Sequence, residues 1–219
     1  VPNDLPITVT NTSYMFYQAT NFDHPNIGTW DVSNVENMYE MFYFATNFNQ
    51  DIGTWDVSKV ENMKGMFDNA INFNQDISKW KVGNVTNMRY MFTNAINFNQ
   101  NLAAWDVSKV TDMQTMFDYA NAMTSLNLSN TLIGWNALPT VVTNQIYGML
   151  SGRSIYNSGL DALVDLSNNK SWTGDTNYSS ATADPSLNIS YNEPTTRAYI
   201  LNQAIEPYTY NPSFLMDPS

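Results

Sequence analysis

The chain has 219 residues, with 9 basic against 20 acidic residues, a net charge of −11, no cysteine and one histidine. That balance argues against a nucleic-acid or anionic-membrane binder, because phosphate contacts need clustered Lys and Arg. It also excludes disulfides, thiolate metal sites and cysteine nucleophiles, and no apolar run approaches the roughly 18 residues of a spanning helix.

Residues 1–14 read as a truncated N-terminal cap unit. Residues 7–10 (Ile-Thr-Val-Thr) are strand-like, Asn11 aligns with Asn37, and Pro2 and Pro6 blunt the edge. Residues 15–115 form four repeats of 25 or 26 residues. Trp30, Trp55, Trp80 and Trp105 keep a 25-residue step, as do Val32, Val57, Val82 and Val107 and the Val, Met, Met-Phe and Ala positions that follow. The first step carries one extra residue, in the segment around His24 and Pro25, which reads as an exposed insertion. Within one unit, the alternation of Ile52, Trp55 and Val57 predicts a short strand. Met63, Met66, Phe67 and Ala70, at i, i+3, i+4 and i+7, predict a helix of about two turns with Asn62 as N-cap. Such a unit buries its apolar face only by stacking, so ladders of Trp, Val and Met are expected. Columns of Asn (Asn37, Asn62 and Asn87, then Asp112; and Asn49, Asn74 and Asn99) are placed to satisfy the turns between them. Residues 116–175 read as degenerate repeats forming a C-terminal cap. A helix is expected around Leu126–Trp135, a strand within 141–150, a helix through Leu160, Leu163, Val164 and Leu166, and a strand at 171–173. Residues 176–219 are a Pro-, Tyr- and Asn-rich extension, with a short helix expected at 196–205.

The string at residues 48–70, FNQDIGTWDVSKVENMKGMFDNA, resembles the BspA-like leucine-rich repeats of bacterial surface proteins. The resemblance spans about residues 7–175. It departs from the general leucine-rich pattern in placing Val60 where Asn or Cys is usual, with Asn62 two residues later. Together with the stacking argument it implies an α/β fold: a right-handed leucine-rich-repeat solenoid with short parallel strands and short helices, capped ends and an extended C-terminal tail. The family implies surface display, adhesion and macromolecular binding, and no catalytic residues.

The outward strand positions are Asp31, Asp56, Lys81 and Asp106, which form either a binding column for a cationic or hydroxyl-rich partner or a solvated face. Three carboxylates in a row suit Ca²⁺, but Lys81 interrupts them. Asp51, Asp76 and Asn101 suit turn closure, and the paired methionines face the core rather than a soft metal. No two carboxylates stand out as a catalytic pair, so no enzyme, metal or cofactor is expected. Aromatic residues off the core pattern, Tyr39, Phe44, Tyr90 and Tyr119, are the alternative contact residues, since Tyr supplies large rigid contact area. Sparse charge, with abundant Asn, Thr and Tyr, points to a secreted or cell-surface protein. Val1 at the start, without a signal pattern, points to a mature or trimmed product. Two functions follow. One is adhesion to a protein or glycan on a cell surface or matrix, without nucleic acid or membrane insertion. The other is a self-assembling subunit of an extracellular filament or surface layer, linked through strand edges and the tail.

Overall fold

Core residues set the path of each unit by closing one tight turn after another. In the unit around Trp55, the N–H groups of Trp55, Val60, Met66, Ala70 and Phe73 donate to the carbonyls of Ile52, Val57, Met63, Phe67 and Ala70, each three residues back, at 2.9–3.1 Å. The donor and acceptor residues are the apolar ones, so every turn places two side chains inward. Trp55, Val57, Val60, Met63, Met66, Phe67, Ala70 and Phe73 are all buried. This description comes from a computed structural model, which describes residues 4–139, 144–146, 149–150, 154–170, 172–173 and 180–182.

The expected α/β leucine-rich-repeat solenoid is not the fold. From Asn11 to Met123 the described backbone contains no extended strand and no α-helix. Its regular elements are turns, a 3-10 helix at Pro25–Thr29, and single parallel bridges joining Asn11 to Asn37, Asn37 to Asn62, Asn62 to Asn87, and Asn87 to Asp112. A turn at Gly53–Thr54 occupies the predicted strand, and another at Ile7–Thr8 occupies the strand expected in the N-terminal cap. The predicted helix over residues 63–70 is prevented by the backbone itself. Gly65 and Asn69 have left-handed φ of +61° and +59°, and the equivalent pairs in the other units do likewise: Tyr14 and Gln18, Glu40 and Phe44, Tyr90 and Asn94, Thr115 and Tyr119. A residue in that region every fourth position cannot continue a right-handed helix. Asn62 accepts from the Lys64 N–H at 3.0 Å, closing a turn instead of capping a helix.

The units stack through the N–H groups that the turns leave unused. Met38, Glu40, Phe42 and Phe44 donate to the carbonyls of Asn62, Lys64, Met66 and Asp68 in the next unit, at 2.9 Å. The same four bonds recur one unit on, from Met63, Gly65, Phe67 and Asn69. Side chains follow in ladders. Trp55, Trp80 and Trp105 lie 6.4 Å apart and within 5° of parallel, while Phe42, Phe67, Phe92 and Phe117 step by 5.6–5.8 Å. A buried indole N–H needs an acceptor, and in this ladder Trp55, Trp80 and Trp105 donate to the carbonyls of Ile27, Ile52 and Ile77. The Asn columns act as expected of them. The Asn74 and Asn99 N–H groups donate to the side-chain oxygens of Asn49 and Asn74, at 2.9 and 2.8 Å.

The stack ends at α1 (Ser125–Asn136), whose N-cap Thr124 accepts from the Asn127 N–H. Trp135 of α1 continues the Trp ladder, donating to the Leu102 carbonyl. Then come β1 (Asn144–Gln145), β2 (Ser154–Tyr156), α2 (Asn157–Asn169), β3 (Trp172–Thr173) and β4 (Ser180–Thr182). These strands form two small parallel pairs, β1 with β3 and β2 with β4. α2 closes on α1 where Gly159 meets Ser129: a Cβ on Gly159 lies 2.6 Å from the Ser129 Oγ. Both helices and the strand at 172–173 stand where the apolar pattern put them, whereas β2 and β4 were not expected. The helix expected at 196–205, and nearly all of the extension, lie outside the described residues.

Candidate binding face

The acidic column is built as a set of turns. Asp31, Asp56 and Asp106 are exposed, and each carboxylate accepts the N–H two residues on, from Ser33, Ser58 and Ser108, at 2.9–3.1 Å. Hydrogen bonds from the Ser33 and Ser58 side chains and backbone hold the Asp31 and Asp56 carboxyls below their ordinary range. Lys81 stands exposed in the third unit, where Gly83 follows in the turn. Asp51, Asp76 and Asn101 make the same closure with Gly53, Ser78 and Ala103. Among the described residues no three His, Asp or Glu side chains group to hold a metal ion. Each carboxylate in these columns closes its own turn through one oxygen, so the columns present a periodic row of turn tips.

A second face is made by the left-handed turns. The four units share their Trp, Val, Met, Phe and Ala positions and differ at several others, among them the four that make the left-handed turns, counted from each Trp. These are Tyr39, Lys64, Arg89 and Gln114; Glu40, Gly65, Tyr90 and Thr115; Tyr43, Asp68, Thr93 and Asp118; and Phe44, Asn69, Asn94 and Tyr119. None of these side chains belongs to the buried core. The frame is constant because the ladders need identical neighbours; the face varies because its side chains lie outside the buried ladders.

At the N-terminal end of this face the rings touch in a chain. Tyr14 meets Tyr17 and Tyr39 edge-on at 5.6 and 4.9 Å, Tyr17 stacks on Tyr43 at 4.8 Å, and Tyr43 meets Phe44 at 4.7 Å. Lys64 extends the patch, its ammonium 5.2 Å from the Tyr39 ring centroid. Tyr14 and Tyr17 are exposed, and Tyr39, Tyr43 and Phe44 half-buried. Hydrogen bonds with Tyr14 and then Glu40 push the Tyr39 hydroxyl well above its ordinary range, and burial raises that of Tyr43. Both remain neutral donors near neutral pH. Burial pushes the Asp68 carboxyl up to about 7, against a lowering contribution from the Asn69 amide, with Glu40 raising it further. The patch therefore joins flat apolar rings to hydroxyls, carboxylates and one ammonium, a combination suited to sugar rings or to protein side chains.

Of the residues singled out by sequence, Tyr39 and Phe44 join this patch. Tyr90 lies two units along with the Arg89 guanidinium 4.6 Å over its ring, and Tyr119 is exposed at the far end. Tyr14, Tyr17, Tyr43 and Lys64 were missed. The signal that finds them is variation between units combined with aromatic content, since Tyr14, Tyr17, Tyr39, Tyr43 and Phe44 fall close together on aligned positions.

No curated protein and no solved structure matches this chain. Among the described residues, no helix is long and apolar enough to cross a membrane. One family model matches twice, over residues 10–131 and 50–162, which together cover more than half of the sequence. The chain belongs to the family described as Mycoplasma protein of unknown function, DUF285.

Proposed function

We propose that the chain is a non-catalytic, extracellular, surface-displayed protein that adheres to a protein or glycan through its tyrosine-rich face. The observation that carries this is the ring chain Tyr14, Tyr17, Tyr39, Tyr43 and Phe44, contiguous and partly open to solvent. An aromatic cluster of this kind gives rigid contact area at low entropic cost. The resemblance of the repeat string to BspA-like surface proteins supports display outside the cell, as does the composition. The other reading, an end-to-end filament or surface layer, is favoured less. At the C-terminal end of the stack the Phe117 N–H donates to the Met149 carbonyl, so that end is met by the chain's own following segment.

The test is a screen of the full chain against immobilised glycans and matrix proteins, followed by paired variants. Tyr39→Ala with Tyr43→Ala is expected to weaken a captured interaction at least tenfold, as removal of clustered aromatic anchors does. Asp56→Asn with Asp106→Asn, which keeps an acceptor in each turn, is expected to leave it unchanged. The opposite pattern moves the site to the acidic column.

A further inference from the structure

The unit of Trp80 shows what kind of group the rings of the left-handed face accept. Arg89 holds its guanidinium 4.6 Å from the Tyr90 ring centroid, donates to the Tyr90 hydroxyl at 2.6 Å and stands 3.9 Å from the Asp112 carboxylate. A guanidinium suits that company, since it stacks on an aromatic face and directs N–H groups at oxygens in its own plane. Lys64, at the equivalent position one unit earlier, is likewise turned over a ring, that of Tyr39.

Between the units of Trp30 and Trp55 the same kinds of group meet without a cation between them. Tyr39 hydrogen-bonds Glu40, and Glu40 is laid across Gly65, where a Cβ lies 2.9 Å from its Cγ. Asp68 interacts electrostatically with Glu40 and Tyr43, and all four side chains are half-buried. Among the described residues no Lys or Arg pairs with either carboxyl: the Lys64 ammonium lies over Tyr39, and Arg89 is held by Tyr90 and Asp112. Thr93, aligned with Asp68 in the following unit, is neutral, as is the Asn69 amide that donates to Asp68. Two carboxyls thus share a half-buried place with phenol rings and an amide, and each raises the cost of ionising the other. The place is interior to the stack, with bridged units on both sides of it.

We propose that this place takes the guanidinium of an arginine side chain from a protein ligand, which deepens the adhesive role proposed for the face and rests on it. One planar fork meets two carboxylates at once while its flat side lies against a phenol ring. An ammonium or a sugar hydroxyl supplies only part of that match. Arg89 with Tyr90 and Asp112 is the same combination closed within the chain. The net charge of −11 favours the approach of a basic segment and opposes an anionic glycan.

The probe is a short, fluorescently labelled Gly-Ser peptide carrying arginine, titrated against the full chain at physiological salt. Its partner probe is the same peptide with citrulline, the uncharged isostere, in place of arginine. Saturable binding of the first is expected, and citrulline is expected to weaken it at least about tenfold. Glu40→Gln with Asp68→Asn should do the same, while Asp56→Asn with Asp106→Asn, which removes equal charge elsewhere, leaves binding intact. Asp68 holds its proton to about pH 7, and a guanidinium favours the ionised carboxyl. Affinity is therefore expected to fall by up to about tenfold from pH 8 to pH 6, and Asp68→Asn to flatten that dependence. Equal binding of the two peptides overturns the proposal. So does an equal loss in the Asp56 and Asp106 variant, which makes the attraction one of general charge. Absence of peptide binding by a chain that captures a glycan through Tyr39 and Tyr43 also overturns it, and leaves the adhesive face standing with a sugar as its ligand. Capture of nothing, whether glycan, matrix protein or peptide, defeats the adhesive reading and this one together.

Discussion

Asp68 shows how the repeat frame shapes the chemistry of one side chain. The same position holds Tyr17, Tyr43, Thr93 and Asp118 in the other units. In the unit of Trp55 a carboxyl takes a half-buried place beside Tyr43, Glu40 and the Asn69 amide, whose Nδ2 donates to it at 2.6 Å. Burial favours its neutral form, so its proton is held to about pH 7 in the folded chain but only to about 3.8 in the unfolded one. The folded state thus binds that proton more tightly. The contribution to stability is full below about pH 3.8 and is lost as pH rises through 7. Asp68→Asn keeps the shape and cannot ionise. It is expected to remove this loss and to raise stability at pH 8 by about 1 kcal/mol once solvent screening of a part-exposed carboxyl is allowed for. That corresponds to roughly 2–4 °C in Tm. Thermal melts of both proteins from pH 4 to 8 check it: the gap should open between pH 4 and 7, and parallel curves defeat the burial explanation.

The turn segment of each unit explains both what the amino-acid pattern revealed and what it concealed. Core membership was legible, because ladders require the same apolar residue at every 25-residue step, and each predicted Trp, Val, Met and Phe of the later units is buried. The Asn columns were legible too, since Asn is suited to closing turns and bridging between them. The backbone between them was not. Apolar residues three apart fit a helix stripe, and they equally fit consecutive turns in which each core residue bonds to the one three before it. What decides is the sign of φ at positions such as 40 and 44, and these hold Glu and Phe, residues with no preference for the left-handed region. Gly65, Asn69 and Asn94 mark it. The same ambiguity made Ile52, Trp55 and Val57 look like a strand, although they belong to two successive turns. For the binding face, aromatic residues off the core pattern pointed to Tyr39 and Phe44 but left out Tyr43, which sits beside the core residue Phe42. Two substitutions separate turn from helix by sign. Gly65→Ala puts a Cβ 2.9 Å from the Glu40 Cγ at a φ of +61° and is expected to destabilise by about 1 kcal/mol; in a helix it would stabilise by a similar amount. Thr115, β-branched at a φ of +52°, is the reverse case. Thr115→Gly is expected to stabilise by about 1 kcal/mol in urea melts, where a helix would lose as much.

At the scale of the molecule, the stack is held by nearest neighbours, so its period should matter more than its length. From Trp30 to Phe117 every ladder advances by 25 residues, from Trp to Trp, Phe to Phe, and from Asn74 to Asn99. The step from Trp105 to Trp135 of α1 takes 30, and the first step, from Asn11 to Asn37, takes 26. That step contains the 3-10 helix at Pro25–Thr29, held at its start by the His24 Nδ1 accepting from the Asn26 N–H. An extra residue is therefore tolerated outside the segments that make the ladders. It follows that removing residues 59–83, one whole period, joins Ser58 to Asn84 with every core column and Asn column still in register. Such a protein is expected to unfold in one cooperative transition with buried-Trp fluorescence retained. Its Tm should fall by roughly 2–4 °C for each kcal/mol of stability that the missing unit supplied. Removing one residue fewer, 60–83, leaves an extra residue inside the turn that Val60 closes on Val57. Val and Met then slip past their partners, and the Trp and Phe ladders cannot both be kept. That variant is expected to lose the cooperative transition or to melt far below the whole-period deletion. Equal stability of the two would mean that the units are held by general apolar attraction, not by the aligned ladders of backbone and ring.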